Sequence, residues 1–307
     1  MPHYPAPPPS LSYELFPPAS AAAAERLEVS LEALAHTEPD YVSVTYSGTP
    51  HRRRATLDLV DHLVRDTRLR PLAHLTCVGE SAESLAGLVR HFIGLGVRGV
   101  LAMRGDLPED PAADVGEYPF ARYLVELIRE VEGQYSAALG AGRLSVGVAA
   151  YPVRHPESPS FQHDVEVLVG KQRSGADYAI TQVYFRPEDY TQLVDAARRA
   201  GVTIPIIPGV LPVDSPDRLA RLAKLTGVEP DPLLGHALET ASDEAERRRI
   251  GVEFAASLVR RALGDGAPGV HVYTFNRHEG AIDLVERLDL PGQRTDARHG
   301  LAARVGA

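Results

Sequence analysis

The residues of this sequence that could do chemistry stand at the C-terminal ends of short apolar runs. They are Glu14, Thr45 with Tyr46, His74 with Thr76, Arg104-Gly105-Asp106, Tyr151 with His155, Gln182, Pro208-Gly209, and Tyr273 to Arg277. Glu14 is a carboxyl in an otherwise apolar stretch. Loss of water there disfavours the ionised form and raises the pKa, so the group can carry a proton near neutral pH. A single polar residue leaving a strand is ordinary, but eight strand ends loaded together mark a site.

Other chemistries lack their motifs. No HExxH, CxxC or GxSxG occurs, which removes support for metal-assisted hydrolysis and for a serine nucleophile. Gly94-Leu95-Gly96-Val97-Arg98-Gly99 matches GxGxxG, but a dinucleotide fingerprint must follow a strand and open a helix. This copy closes a helical pattern and precedes an apolar run, so it reads as a helix-to-strand turn. The cluster His51-Arg52-Arg53-Arg54 reads as a solvated loop that could help hold a phosphate. The net charge of −9 over 307 residues is a poor match to nucleic acid, which needs clustered positive charge. No apolar run is long enough to span a bilayer. Cys77 has no internal partner, in keeping with a reducing, cytoplasmic setting.

The elements that must position these residues follow from periodicity. β-branched or continuous apolar runs recur at Ser12–Phe16, Tyr41–Thr45, Leu72–Thr76, Val100–Met103, Leu144–Ala149, Tyr178–Thr181, Ile204–Ile207 and Val270–Tyr273. Amphipathic helical patterns fill most intervals, among them Leu57–Arg65, Ser81–Ile93 and Arg218–Leu225. Strands apolar on both faces suit a parallel sheet covered by helices. Eight such units predict an α/β fold, a (β/α)8 TIM barrel with extra helices between strands seven and eight, around Asp231–Leu263. A doubly wound sheet is the alternative architecture. The expected organisation is a proline-rich arm over 1–10, one catalytic domain over 11–291 and a flexible tail over 292–307.

Taken in order, the motifs resemble the methylenetetrahydrofolate reductase family. They are Ser12-Tyr13-Glu14-Leu15-Phe16-Pro17-Pro18, Val42 to Tyr46, Ala73-His74-Leu75-Thr76, and Leu101 to Asp106. Ala150-Tyr151-Pro152 with His155-Pro156-Glu157, Gly175 to Gln182, Ile207 to Pro212, and His271 to Arg277 follow. The resemblance implies a flavin-containing barrel that reduces 5,10-methylenetetrahydrofolate to 5-methyltetrahydrofolate. NAD(P)H would reduce bound FAD and leave before folate takes its place. It further implies the short bacterial form, for which NADH is the usual donor, with a homo-oligomer as a possible assembly.

The resemblance also assigns roles. Glu14 would be the general acid that opens the folate's five-membered ring. Asp106 would sit beside flavin and pterin, Gln182 would contact folate and nicotinamide in turn, and Arg277 would reach the benzoyl-glutamate portion. Thr45, Tyr46, Gly48, His74, Arg104, Gly105, Tyr151, His155, Asp164 and Lys171 would line FAD. Leu15, Ser47 and Arg186 depart from the family pattern. So does Pro216, which counting places where the family often packs a phenylalanine on folate. Folate binding is therefore expected to lean on Arg277, Gln182 and an inward Leu219. Two other functions fit the same scaffold: a flavin-poor folate-binding subunit of a redox complex, and a tetrahydrofolate-dependent methyl-transfer enzyme.

Overall fold

Parallel strands and helices alternate from Ser10 to Leu288. The structure, a computed structural model, describes residues 8–46, 50–108, 110, 114–140 and 142–290. Most of the expected arm, all of the expected tail, Ser47 and Gly48 lie outside the described residues. The strands are β1 Ser10–Leu15, β2 Tyr41–Val44, β3 Pro71–Thr76, β4 Gly99–Met103, β5 Ser145–Ala150, β6 Tyr178–Thr181, β7 Ile206–Ile207, β8 Gly209–Val210 and β9 Gly269–Tyr273. The helices are α1 Ala21–Ala35, α2 Pro50–Asp66, α3 Ala82–Leu95, α4 Ala121–Gln134, α5 Phe161–Arg173, α6 Pro187–Arg199, α7 Pro216–Thr226, α8 Pro232–Thr240, α9 Glu244–Gly264 and α10 Glu279–Leu288. The extra helices expected before the last strand are α8 and α9.

The strand order is β7-β6-β5-β4-β3-β2-β1-β9-β8, and every pairing is parallel. β7 lies within the expected seventh strand, Ile204–Ile207, while β8 falls beyond it, so the ring closes through Pro208. Ile206 and Ile207 pair with β6, whereas Gly209 and Val210 pair with β9. Proline has no N–H to carry the ladder onward. Its carbonyl instead accepts the His271 N–H at 2.9 Å. Beyond it, Gly209 N–H donates to Thr181 Oγ1 at 2.9 Å, and a Cβ at Gly209 would stand 2.2 Å from the Thr181 carbonyl oxygen. Only glycine fits that approach.

Side chains alternate along each strand. Leu11, Tyr13 and Leu15 of β1, and Val270 and Val272 of β9, enter the main apolar core, to which the helices contribute their buried faces. Inside the barrel, Leu72, Leu101 and Ile180 form a small apolar plug. Above it, the inward positions hold the chemistry.

One sequence expectation changes. The cluster 51–54 is not a loop, because α2 begins at Pro50. Proline is well placed in a first helical turn, and arginine is a good helix former. The GxGxxG segment is a turn, as expected. Gly96 caps α3 in the left-handed conformation at φ 92°, and β4 starts at Gly99.

Candidate functional site

At the C-terminal ends of the strands lies a cavity of about 190 Å³ walled by Glu14, His74, Tyr151 and Gln182 among others. Glu14 belongs to β1, between Ser43 of β2 and Tyr273 of β9 in register. The end of that strand is held firmly. Thr274 Oγ1 donates to the Glu14 carbonyl at 2.7 Å. Asn276 clamps Phe16, accepting its N–H and donating to its carbonyl, both at 2.8 Å.

Burial pushes the Glu14 carboxyl up to about 8. Among the described residues, its one neighbour within ion-pair range is His74 Nε2 at 3.9 Å. That contact is not a salt bridge, because burial drives His74 down to about 3 and leaves it neutral. His74 Nε2 is buried and has no hydrogen-bond partner. His271 is likewise neutral, lowered to about 3 by burial, with Nδ1 2.8 Å from Ser12 Oγ. A carboxyl flanked by neutral imidazoles keeps its proton at neutral pH, the state a general acid requires.

The flank formed by β4, β5 and α5 is cationic. Lys171 is buried, and its ammonium donates to the Ala149 carbonyl at 2.8 Å. No carboxylate lies within ion-pair range of Lys171 among the described residues, and burial lowers it to about 8. Its Nζ lies 5.9 Å from the Tyr151 ring centroid, and the His155 ring packs edge-on against the same tyrosine at 4.6 Å. Asp164, in the first turn of α5, accepts the His155 N–H at 2.9 Å. Arg104 reaches Glu157 at 2.6 Å. Gly105 has φ 88°, and a Cβ there would meet Thr76 at 3.0 Å, so glycine is what this tight turn accommodates. With Asp164 acting on it only from beyond ion-pair range, the buried ammonium would gain from a bound anion. The donor set fits a pyrophosphate-bearing cofactor such as FAD. Arg104, His155 and Lys171 would hold the phosphates, and Asp164 a ribose hydroxyl.

Gln182 is also placed for recognition. Its Oε1 accepts the Val183 N–H at 2.8 Å, which leaves the amide nitrogen to donate into the cavity.

Several expected residues stand elsewhere. Tyr46 is buried in the main core with Arg53 5.8 Å from its ring, because α2 packs over it, and Thr45 gives its carbonyl to Thr56. Neither lines the cavity. Asp106 is exposed in the turn after β4, off the cavity wall. Arg277 is 3.3 Å from Asp214 and 3.9 Å from both Glu244 and Glu279, so its charge is already matched. Pro216 is the first residue of α7, capped by Ser215, and Leu219 packs into a separate apolar cluster. From α7 it is Leu222, Leu225 and Thr226 that line the cavity.

Other wall residues had no assigned role. His271 and Tyr273 face inward, and their alternation with Val270 and Val272 was the available signal. Phe16 and Phe275 stack at 5.4 Å across the rim, with Phe275 held at φ 49°. Leu225 is 70% exposed at the same rim.

Comparison with known proteins adds to this geometry. The sequence profile of the family "Methylenetetrahydrofolate reductase" matches residues 6–289. The chain is 33% identical over 285 residues to the 5,10-methylenetetrahydrofolate reductase of Escherichia coli strain K12, covering 92% of each protein. It is 29% identical over 281 residues to methylenetetrahydrofolate reductase 1 of Schizosaccharomyces pombe, covering 91% of this chain and 46% of that one. Among solved structures, an uncharacterized protein from Clostridium thermocellum that binds two copies of 5-methyl-5,6,7,8-tetrahydrofolic acid superposes with a TM-score of 0.65. It shares 15% sequence identity over 92% of this chain and 93% of its own, a likeness of fold.

Proposed function

The chain belongs to the methylenetetrahydrofolate reductase family, enzymes that reduce methylenetetrahydrofolate, and we propose that it performs this reduction with NAD(P)H through bound FAD, Glu14 serving as general acid. The observation that carries the reading is the Glu14 carboxyl, raised to about 8 by burial on the wall of a cavity flanked by the buried Lys171 ammonium.

FAD, when bound, would supply the two-electron hydride chemistry that no side chain possesses. The protein does the rest. Lys171 and Arg104 neutralise the phosphates, and His155, which burial keeps uncharged, adds a neutral imidazole to hydrogen-bond them. Ring opening of the folate needs a proton on a weakly basic nitrogen, and Glu14 is a neutral acid already desolvated beside it. The amide of Gln182 orients a pterin edge by hydrogen bonding. The Phe16–Phe275 pair and Leu225 offer apolar surface to the aromatic part of the substrate and keep water from Glu14. One cavity serves nicotinamide and folate in turn, which suits a ping-pong order. Asp106 acts from the exposed turn beside the flavin, and Arg277 meets the folate glutamate by exchanging Asp214 for it.

Anaerobic stopped-flow of the two half-reactions tests this. NADH alone is expected to bleach the FAD-saturated protein, and methylenetetrahydrofolate to restore its yellow colour. A flavin that NADH leaves oxidised, or one that methylenetetrahydrofolate cannot reoxidise, overturns the proposal. Among the described residues no helix is long and apolar enough to cross a membrane.

A further inference from the structure

The pole opposite the reaction cavity carries a second, larger cavity of about 820 Å³. Its walls come from the N-terminal ends of the strands and the turns before them, including Tyr41, Leu72, Tyr178 and Ile207. In (β/α)8 enzymes the reacting groups gather at the other end of the strands, so this basin is not part of the reaction site. Its volume is that of a small-molecule pocket.

Three arginines line the basin, Arg68, Arg70 and Arg98. None has a carboxylate partner among the described residues, and the side chain of Arg98 donates only to the Val97 carbonyl, at 3.4 Å. The two carboxylates at the basin are already engaged. Asp40 accepts the Leu11 N–H at 2.9 Å, and Asp177 is held by Arg129 at 2.6 Å and Arg143 at 3.1 Å. The local charge is therefore positive in a chain of net charge −9. The floor is aromatic, with the Tyr41 and Tyr178 rings 6.2 Å apart and inclined at 51°. The Tyr41 hydroxyl is buried beside Ser12 and Tyr178, so the floor offers a ligand its ring faces rather than its hydroxyls.

We propose that this basin binds a small organic polyanion with a flat heteroaromatic ring, of the nucleoside diphosphate type. The ring lies on the tyrosine floor and the phosphates lie among the three arginines. Guanidinium forks match phosphate oxygens in geometry as well as charge, and tyrosine faces accept a flat ring by offset or edge packing.

Calorimetric titration of the FAD-saturated, full-length protein with guanosine 5′-diphosphate tests the proposal. Guanine is chosen because neither FAD nor NADH carries it. Saturable binding is expected, weakened at least tenfold in the Arg68→Ala/Arg70→Ala/Arg98→Ala variant, while FAD content and NADH oxidation stay at wild-type levels. Pyrophosphate, which leaves the tyrosine floor unused, is expected to bind at least tenfold more weakly. If the triple variant folds poorly, Arg70→Gln and Arg98→Gln carry the comparison, each weakening binding threefold or more. Undiminished nucleotide binding in the arginine variants overturns the proposal. So does no binding at millimolar nucleotide, or equal affinity for pyrophosphate.

Discussion

Replacing Glu14 by glutamine keeps the size and polarity of the buried side chain and removes only its ability to ionise. The carboxyl titrates near 8 in the folded protein against an ordinary value of 4.5. Between pH 5 and pH 8 the folded carboxyl stays largely protonated, half-ionising only at the top of the range, while the unfolded one ionises, so the unfolded state binds fewer protons and stability falls as pH rises. At roughly 1.4 kcal/mol per pH unit, and allowing for the curvature at both ends, the loss over this range is about 3 kcal/mol. It is complete only once pH has passed through the folded pKa. The two buried histidines, lowered to about 3, push the other way. They are common to both proteins and cancel in the difference. Urea unfolding of wild type and Glu14→Gln at matched ionic strength and FAD concentration should therefore show a gap in favour of the variant. That gap should widen by about 3 kcal/mol from pH 5 to pH 8. The same variant should lose about 10²–10⁴ in the rate of folate reduction and nothing in flavin reduction by NADH. Parallel stability curves would falsify the buried acid. A variant that reduces folate at the wild-type rate would remove Glu14 from the chemistry.

Lys171→Ala and His155→Ala should each raise the FAD dissociation constant about tenfold or more, since charge-assisted contacts contribute roughly 1.5–3 kcal/mol; apoprotein titration with unchanged affinity in both refutes the cationic flank. Wild-type FAD affinity should fall above pH 8, as Lys171 loses the proton that burial already loosens, and Lys171→Met should lack that step. Leu225→Ala should raise the folate KM several-fold while NADH oxidation by an artificial acceptor is unchanged, because Leu225 rather than Pro216 lines the cavity; an unchanged KM shows that the rim leucine does not touch substrate. Gly209→Ala should destabilise the barrel by about 1–3 kcal/mol or more, through the clash with the Thr181 carbonyl, and an unaltered denaturation midpoint would show that the seventh strand can relax.

Local periodicity carried most of the architecture. Each strand is a short run whose neighbours along the chain already alternate correctly, and each helix repeats its apolar positions within one element. The eight units, the extra helices before the last strand and the turn at Gly96 were therefore legible without tertiary information. Local pattern also misled at α2. Its first turn is polar, so the periodicity begins only at Leu57, although the proline at 50 and the arginines after it support a helix. The break at Pro208 was not legible either, because pairing with two different neighbours is a property of the closed ring.

The sequence by itself determined that a carboxyl, histidines, a glutamine and a set of cations sit at the strand ends, because residue type and strand parity are written along the chain. Which of them share a cavity was decided only by tertiary structure. Glu14 remains protonated because β1 and β3 bury it against an imidazole that is itself too deeply buried to charge. Arg277 is drawn to Asp214, Glu244 and Glu279, which arrive from the loop before α7, α9 and α10. Pro216 opens a helix capped by Ser215 while Leu222, Leu225 and Thr226, two to three turns further on, reach the cavity. Such contacts join residues far apart in the chain. Desolvation and ion pairing depend on distances that no local pattern encodes.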